Sequence, residues 1–580
     1  MKPADIDTEF PRGLLRPELF LGVAASITAR AVGVNLSEAG RPSGSHFSGG
    51  RYGRGEVGEF VLIEGQQSLI LGRISEIKVR EPERRGITRD FSGNTDMDAL
   101  GQIQLLGCVA TDSLRVTAGV DAYPRLGDRI YAAPHRFIAL LPQLMEVGGA
   151  ESPSVSLELG TIDTAHESVV SVKPERLFGR HCAILGATGG GKSWTTARII
   201  EECLQHRAKL ILIDATGEYR DFQGEHVTHC HLGVPPISAA HSERSSLPPT
   251  SFLESDFIAL FEPSGKVQGP KLLAAIQSLR LAALEPGLAR DGLIVKENSV
   301  KRDFFNAMYK HAVAVNNPAQ EFNVSLLPRQ IINECVQDYG EAKWKGRNEA
   351  EIGYCASLIT RINGILRSPT MSFVFSDSAF PSITSRLTSF LSDEQRLFRI
   401  DLSAVAYEFN AREIVANAIG RHLLSTARSG DLKKRPLVVI VDEAHNFLGR
   451  HLGSDDYQAK LDAFEIIAKE GRKYGLTVCL ASQRPRDITE GVLSQMGTLI
   501  VHRLTNERDR EVVERACGEI DRAASAFLPN LRPGEAAIIG TDFPIPMTIQ
   551  IKEPDTKPLS DGPRYQKCWS SIETNGDKPT

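Results

Sequence analysis

Apolar residues in the first quarter of the chain fall in short runs broken by glycine or polar positions. Gly58-Glu59-Phe60-Val61-Leu62-Ile63-Glu64, Ser68-Leu69-Ile70-Leu71-Gly72-Arg73-Ile74, Ile103-Gln104-Leu105-Leu106-Gly107 and Asp128-Arg129-Ile130-Tyr131 are of this kind. Runs of that length at that spacing predict the strands of a small barrel or sandwich between about Leu19 and Pro134. Two intervening stretches, Gly40 to Gly55 and Arg80 to Asn94, are rich in Gly, Ser and Arg and predict loops. Their arginines read better as solvated charge than as contacts with a partner.

The pattern loosens from about Leu141 to Pro153, where Gly148-Gly149-Ala150-Glu151-Ser152-Pro153 marks a domain boundary. Beyond it come six continuous apolar runs: Cys182-Ala183-Ile184-Leu185, Leu210-Ile211-Leu212-Ile213, Phe398-Arg399-Ile400-Asp401-Leu402, Leu437-Val438-Val439-Ile440-Val441, Val478-Cys479-Leu480-Ala481 and Leu499-Ile500-Val501. Runs of this kind fit parallel strands buried on both faces, and helical patterns separate several of them, as an α/β doubly wound sheet requires. The interval from about Ser251 to Arg367 is too long for one crossover and reads as helical, for example Lys271-Leu272-Leu273-Ala274-Ala275-Ile276-Gln277-Ser278-Leu279. The expected organisation is a β-rich unit with its linker over 1–150, the first part of an α/β core over 151–250, an inserted helical subdomain over 251–395, and the rest of the core with C-terminal strands and tail over 396–580. No repeat of fixed period is present.

Composition narrows the class without naming a partner. At 580 residues the chain exceeds what one core organises. No apolar run approaches the roughly 18 residues needed to span a bilayer. The start, Met1-Lys2-Pro3-Ala4-Asp5-Ile6-Asp7, lacks the apolar stretch of a secretory signal. No membrane partner is expected, and a cytoplasmic location follows by default. Nine dispersed cysteines fit reduced, mostly buried thiols better than a disulfide framework. A net charge of −5, from 67 basic and 72 acidic residues, gives no global sign of nucleic-acid binding, so any DNA contact requires local positive charge, as in a pore.

The candidate chemistry starts at Gly186-Ala187-Thr188-Gly189-Gly190-Gly191-Lys192-Ser193, which fits G-x-x-x-x-G-K-[ST] between an apolar strand and a helix beginning at Trp194. Glycines let backbone N–H groups turn inward around phosphates, and the helix N-terminus adds a favourable dipole. Lys192 would reach the β- and γ-phosphates and Ser193 would hold Mg²⁺. The cofactor-binding set is therefore Gly186, Gly189, Gly190, Gly191, Lys192, Ser193 and Trp194, with ATP and Mg²⁺ as its ligands. A second run, Val438-Val439-Ile440-Val441-Asp442-Glu443, places two acids at the carboxyl edge of the sheet, where α/β folds bind ligands. Asp442 would support the metal and Glu443 would orient or deprotonate the attacking water. A third, Leu480-Ala481-Ser482-Gln483-Arg484-Pro485, puts Gln483 where it could sense the γ-phosphate or that water, or merely face solvent at a strand end.

Several further segments stand in register with these motifs: Arg180-His181-Cys182-Ala183-Ile184-Leu185 before the phosphate loop, Ile213-Asp214-Ala215-Thr216-Gly217-Glu218-Tyr219 of the form Asp-x-x-Gly-Glu-Tyr, and Glu470-Gly471-Arg472-Lys473-Tyr474-Gly475 before Ser482-Gln483-Arg484-Pro485. In this set and order the chain resembles the HerA branch of the HerA/FtsK translocases. The resemblance implies a RecA/FtsK-like P-loop NTPase fold with a parallel sheet and an N-terminal barrel. It also implies a homohexameric ring with ATP between subunits, double-stranded DNA through its centre, and a partner enzyme docked on the barrels. A nuclease or an NAD-cleaving effector would fit that place, in DNA-end processing or anti-phage defence. By the same resemblance Arg472 is an arginine finger reaching the neighbour's site, and Arg180 a second arginine near the phosphates of its own site. A guanidinium in either place would stabilise charge on the transferring phosphoryl group; a solvated helix face is the plainer reading of both.

Two segments depart from the family pattern. Ala215-Thr216 replaces a more polar or proline-containing pair, and Gly449 to Tyr457 forms a loop extension in which Arg450, with Lys460 beyond it, could meet DNA phosphates in a pore. Lys343-Trp344-Lys345-Gly346-Arg347 is either a surface helix end or a DNA contact. His226-Val227-Thr228-His229-Cys230-His231 gathers metal-ligating residues, but zinc sites draw on separated pairs, and an edge strand explains the alternation equally well. Beside the DNA motor stand two other readings, a ring platform that assembles and activates an effector, and a conjugation- or secretion-type ATPase. The lack of a membrane segment counts against the last.

Overall fold

The computed structural model describes residues 10, 13–36, 45–47, 50–53, 55–79, 99–145, 155–162, 168–338, 341–375, 379–448, 450–454, 457–517, 526–560, 562 and 565–570. Among its described residues the N-terminal unit holds nine strands: β1 (Phe20–Ile27), β2 (Ala31–Leu36), β3 (Ser45–Phe47), β4 (Gly50–Tyr52), β5 (Phe60–Ile63), β6 (Ser68–Val79), β7 (Ala99–Ala110), β8 (Val116–Ala118) and β9 (Arg129–Ala132). Hydrogen bonds run in the order β2-β1-β9-β5-β6-β7, and β2 pairs again with β7. Six strands therefore close into a barrel, which decides against the sandwich. Within the first predicted loop β3 and β4 form a hairpin; residues 80–94 lie outside the described part.

Alternation explains both faces of the barrel wall. Val61, Ile63, Ile70 and Ile74 point inward with Val32, Val34, Ile103 and Ile130 to fill the interior. Leu62, Leu69 and Leu71 point outward and join a second cluster with the helix His135–Leu144 and strands of the larger sheet. Each such leucine contributes about 1.5–3 kcal/mol through burial, so the barrel is fixed to its neighbour by its own outward face.

The second unit is built on β10 (Leu157–Thr161), β11 (Val169–Val172), β12 (His181–Leu185), β13 (Lys209–Asp214), β14 (Val227–Leu232), β15 (Glu243–Ser245), β16 (Leu397–Asp401), β17 (Leu437–Val441), β18 (Arg450–Ser454), β19 (Tyr457–Leu461), β20 (Leu476–Ser482), β21 (Met496–Val501), β22 (Glu535–Gly540) and β23 (Phe543–Ile551). Twelve of these form one sheet in the order β11-β10-β23-β22-β21-β12-β20-β17-β13-β16-β14-β15. From β21 to β15 every pairing is parallel. The sheet is nonetheless mixed, not purely parallel as the apolar runs predict. β22, β23, β10 and β11 add an antiparallel wing beside β21. In β10, β11 and β23 partly buried positions interrupt the buried ones, which a search for continuous apolar runs passes over.

Between β15 and β16 the chain is largely helical, with Glu254–Phe261, Gly265–Leu284, Lys301–Lys310, Leu327–Glu334, Glu349–Arg367 and Ile383–Ser392. Trp344 is buried there against Phe304 and Phe305, with ring centres 5.4 and 5.9 Å away, so the Lys343–Arg347 segment keeps its aromatic in a core and not at a DNA surface. The expected loop after β17 is instead the hairpin β18–β19; the side chains of Arg450 and Lys460 lie outside the described part. The eight described cysteines are free thiols, seven of them buried. Among the described residues no helix is long and apolar enough to cross a membrane.

Candidate nucleotide site

The phosphate loop joins β12 to the helix Lys192–Leu204 and places its turn at the carboxyl edge of the parallel strands. Gly189 and Gly191 take φ of +75° and +113°, conformations that side chains resist. Close packing constrains the loop as well. A Cβ on Gly186 or Gly191 would lie 2.6 or 3.0 Å from the His502 side chain, just beyond β21. His502 Nδ1 is 2.8 Å from the Glu535 carbonyl, and Nε2 is 2.8 Å from the Thr195 hydroxyl. A carbonyl only accepts, so Nδ1 carries the proton and Nε2 accepts from Thr195. Burial holds this ring neutral and pulls its pKa down to about 4. His502 thus braces the loop from beneath. Its one trace in the sequence is a polar residue directly after a buried apolar run.

Above the loop, Lys192 Nζ donates to Asp442 Oδ1 and Glu443 Oε1, both at 2.9 Å. Glu443 Oε1 also accepts from Gln483 Nε2 at 2.6 Å, and Gln483 Oε1 accepts from the Thr188 hydroxyl at 2.6 Å. Lys192, Asp442, Glu443 and Gln483, which follow β12, β17 and β20, therefore meet in one hydrogen-bonded group. Asp442 is fully buried, and its Oδ2 has no hydrogen-bond partner. Burial lifts the Asp442 carboxyl to about 7 against the opposing pull of Lys192. Burial also works against the Lys192 charge, but the two carboxylates outweigh it and raise its pKa. Glu443 sits at φ +48°, a strained conformation for a residue with a side chain, of the sort that concentrates at functional sites.

Thr188, Lys192 and Gln483 of this group line a pocket of about 430 Å³, and Asp442 and Glu443 reach it only through Lys192 and Gln483. Thr188, Gly189, Gly191, Lys192, Ser193 and Trp194 line the motif side, while Gly186 and Gly190 sit behind it. Glu218, Gln483, Gly534, Gln550 and Ser560 form the other walls. Gly534, Gln550 and Ser560 carry no motif in the sequence. Ser560 arrives on a C-terminal strap: the Asp555 and Thr556 N–H groups donate to the Glu201 carboxylate at 3.1 and 2.6 Å, and the Leu559 N–H donates to the Glu218 carbonyl at 2.9 Å.

Asp214, which heads the Asp-x-x-Gly-Glu-Tyr segment, has another task. Its carboxylate accepts from the N–H groups of Thr216, Gly217, Glu218 and Tyr219 and from Arg399 on β16. It folds the turn that presents Glu218 to the pocket. Ala215 and Thr216 contribute only backbone to this turn, which accounts for the tolerance of an unusual pair there.

Arg180 and Arg472 are elsewhere. Arg180 precedes β12, so the full five-residue strand, roughly 16 Å, separates it from the phosphate loop. It is exposed, donates to the Thr541 hydroxyl at 2.8 Å and stands 3.5 Å from Asp542. The placement of Arg180 beside its own phosphates is thereby corrected. Arg472, exposed on the 3₁₀ turn Gly471–Tyr474 before β20, occupies the same far edge, where burial chiefly, with a smaller push from Arg472, depresses His181 beside Arg180. The His226–His231 run forms β14, inside the sheet between β15 and β16. There His229 Nε2 meets the Phe222 carbonyl and His231 Nδ1 the Ser242 hydroxyl. Among the described residues no cluster fit for a metal is present.

The pocket suits a nucleoside triphosphate with Mg²⁺. Open space faces the positive-φ Gly189, a helix N-terminus points in, and the unpartnered Oδ2 of Asp442 offers an anionic oxygen for a metal or its water. Residues 157–423 match the family described as Helicase HerA, central domain, and residues 424–528 that described as Helicase HerA-like C-terminal. A probable helicase of Methanocaldococcus jannaschii is 23% identical, covering 90% of this chain and 91% of its own. The DNA double-strand break repair helicase HerA of Saccharolobus solfataricus is 20% identical over 68% of this chain and 69% of its own. Among solved structures, the bacterial conjugative coupling protein TrwB matches 73% of this chain and 94% of its own at 15% identity, with a TM-score of 0.42.

Proposed function

We propose that this chain, which belongs to the HerA helicase family and is a P-loop ATPase, works as a ring of six copies that hydrolyses ATP at subunit interfaces to move along double-stranded DNA. The observation that carries the ring is the division of charge between the two edges of the sheet. Lys192 is the one cation among the described residues lining the pocket, whereas Arg180 and Arg472 are exposed together at the opposite edge. Phosphoryl transfer needs positive charge around the equatorial oxygens, and a guanidinium from a neighbouring copy supplies it. Both arginines are therefore assigned to the next subunit's site, Arg472 as the finger and Arg180 beside it.

Within the pocket Lys192 would leave its carboxylates for the β- and γ-phosphates of ATP. Glu443, released from Lys192 and still held by Gln483, would accept a proton from the attacking water. Ser193 and Asp442 would hold Mg²⁺, whose chemistry is to offset phosphate charge. The names of the repair-helicase relatives support duplex DNA as the track, contacted through its backbone without reading sequence. Resemblance to the family supports a nuclease or other effector on the barrels, in DNA-end processing or antiviral defence.

Mixing two inactive variants tests the shared site. Rings containing both Lys192→Ala and Arg472→Ala subunits contain some interfaces with both residues intact, so ATPase activity returns on mixing. No recovery in rings shown to be mixed would refute the assignment in trans. Stimulation of turnover by duplex DNA separates motor from platform. Indifference to DNA, with and without the partner enzyme, would favour a ring that only assembles and activates its effector.

A further inference from the structure

A second cavity, of about 340 Å³, lies where the barrel meets the ATPase sheet. Gly58, Phe60 and Arg73 line it from the barrel, and Phe527, Thr548 and Gln550 from the other unit. Arg73 is the residue to account for. On β6 it follows the outward register of Leu71, so the strand's alternation turns a guanidinium into the seam. Its Cζ lies 4.3 Å from the ring centre of Phe527 and 5.2 Å from that of Phe60. Nε donates to the Gly58 carbonyl at 2.9 Å, and Nη2 reaches the Thr548 hydroxyl at 3.4 Å.

That arrangement leaves the charge unanswered. Among the described residues no carboxylate forms an ion pair with Arg73, and of the three acids that line the cavity, Glu56, Glu59 and Glu535, the last two are engaged elsewhere. Glu59 accepts from the N–H groups of Gly53, Gly55 and Glu56, and Glu535 pairs with Arg532 at 2.7 Å. Among the described residues Nη1 has no hydrogen-bond partner. The surroundings withdraw water from the guanidinium enough to pull its pKa down to about 10. An enclosed cation lacking a counter-charge is costly, and a planar donor fork held between two rings is oriented for a carboxylate or phosphate group.

We propose that the barrel–ATPase seam binds a small organic or inorganic anion, its carboxylate or phosphate group set on Arg73 and Thr548 and any remaining body occupying the cavity. The volume admits a ligand somewhat smaller than the nucleotide pocket does. Gln550 lines both cavities, so this ligand would sit one side chain away from the nucleotide. The site stands on the seam's geometry and does not depend on DNA translocation or on a ring.

Calorimetric titration of the full chain, held in saturating Mg-ADP to occupy the phosphate loop, tests it with citrate and with inorganic phosphate as separate probes. At least one binds with a Kd below about 1 mM, and Arg73→Gln weakens it about tenfold or more while the Kd for ADP stays within twofold. Thr548→Val weakens the same probe severalfold, and it decides the matter should Arg73→Gln fail to fold. Failure of both probes to bind below about 10 mM would overturn the site, as would binding that neither substitution changes.

Discussion

Two clusters of one cation and two carboxylates lie buried at the same edge of the sheet, and they are built to opposite ends. In the first, Arg399 is fully buried, bonded to Asp214 and Asp401 at 2.7–2.9 Å. Asp214 accepts four further backbone N–H groups and Asp401 the N–H of Ser403, so these acids have fixed, well-supplied positions. In the second, Lys192 holds Asp442 and Glu443 by single contacts, one Asp442 oxygen has no partner, and Glu443 rests in a strained backbone conformation. A planar guanidinium with several bonds is a fastener. A lysine on a flexible stem can exchange one anion for another. The contrast assigns stability to the first cluster and chemistry to the second, although both consist of buried charge.

The largest effects should separate them. Lys192→Ala or Asp442→Asn should lower turnover by at least about 10²–10³-fold, while urea denaturation shows no loss of stability for Asp442→Asn, which removes a buried carboxylate with an unmet oxygen. Arg399→Met should do the reverse in kind, costing about 3–5 kcal/mol of stability because two buried acids lose their counter-charge. Equal destabilisation by Asp442→Asn and Arg399→Met would abolish the distinction.

A smaller effect compares the edges instead of the clusters. His502 at the carboxyl edge and His181 at the far edge are each pulled down to about 4 by burial. The unfolded chain therefore protonates these rings first as pH falls below about 6.5, so the stability they permit is full above 6.5 and declines toward pH 4. Each contributes up to about 3 kcal/mol across that window. Denaturation midpoints between pH 4.5 and 7 check this, and His502→Gln should flatten the slope. An unchanged slope would show that His502 is not the ring that resists protonation.

The sequence disclosed the second cluster more fully than the first, and the reason is local. Lys192, Ser193, Asp442, Glu443 and Gln483 each stand where a buried apolar run stops, and a polar residue at the carboxyl end of a parallel strand faces the ligand edge. Arg399 lies inside such a run and passed as one of its members. Its partners are 185 positions and two positions away, a pairing that strand order creates and spacing does not announce. The antiparallel wing was missed for a related reason: β11 and much of β23 follow a two-residue period that contributes little beside the continuous parallel strands, and the short buried run of β22 was passed over. Arg180 was placed near its own phosphates by family resemblance, which carries no distance within this chain. Five residues of extended chain carry it across the sheet.

The roof over the second cluster offers the finest test of the comparison. Arg399 is sealed inside the sheet, whereas the nucleotide pocket is closed in part by the strap ending at Ser560. Glu201, on the helix that follows the phosphate loop, holds that strap through the N–H groups of Asp555 and Thr556, and Glu201 itself does not line the pocket. Glu201→Ala removes a charged acceptor from two backbone donors that can turn to water, a loss of about 1 kcal/mol. If the strap holds nucleotide in place, that loss should appear as a roughly fivefold rise in the KM for ATP at unchanged kcat, because the groups that act on the phosphates are untouched. A fall in kcat with constant KM would instead tie the strap to the reacting groups, and no change in either would make it packing alone.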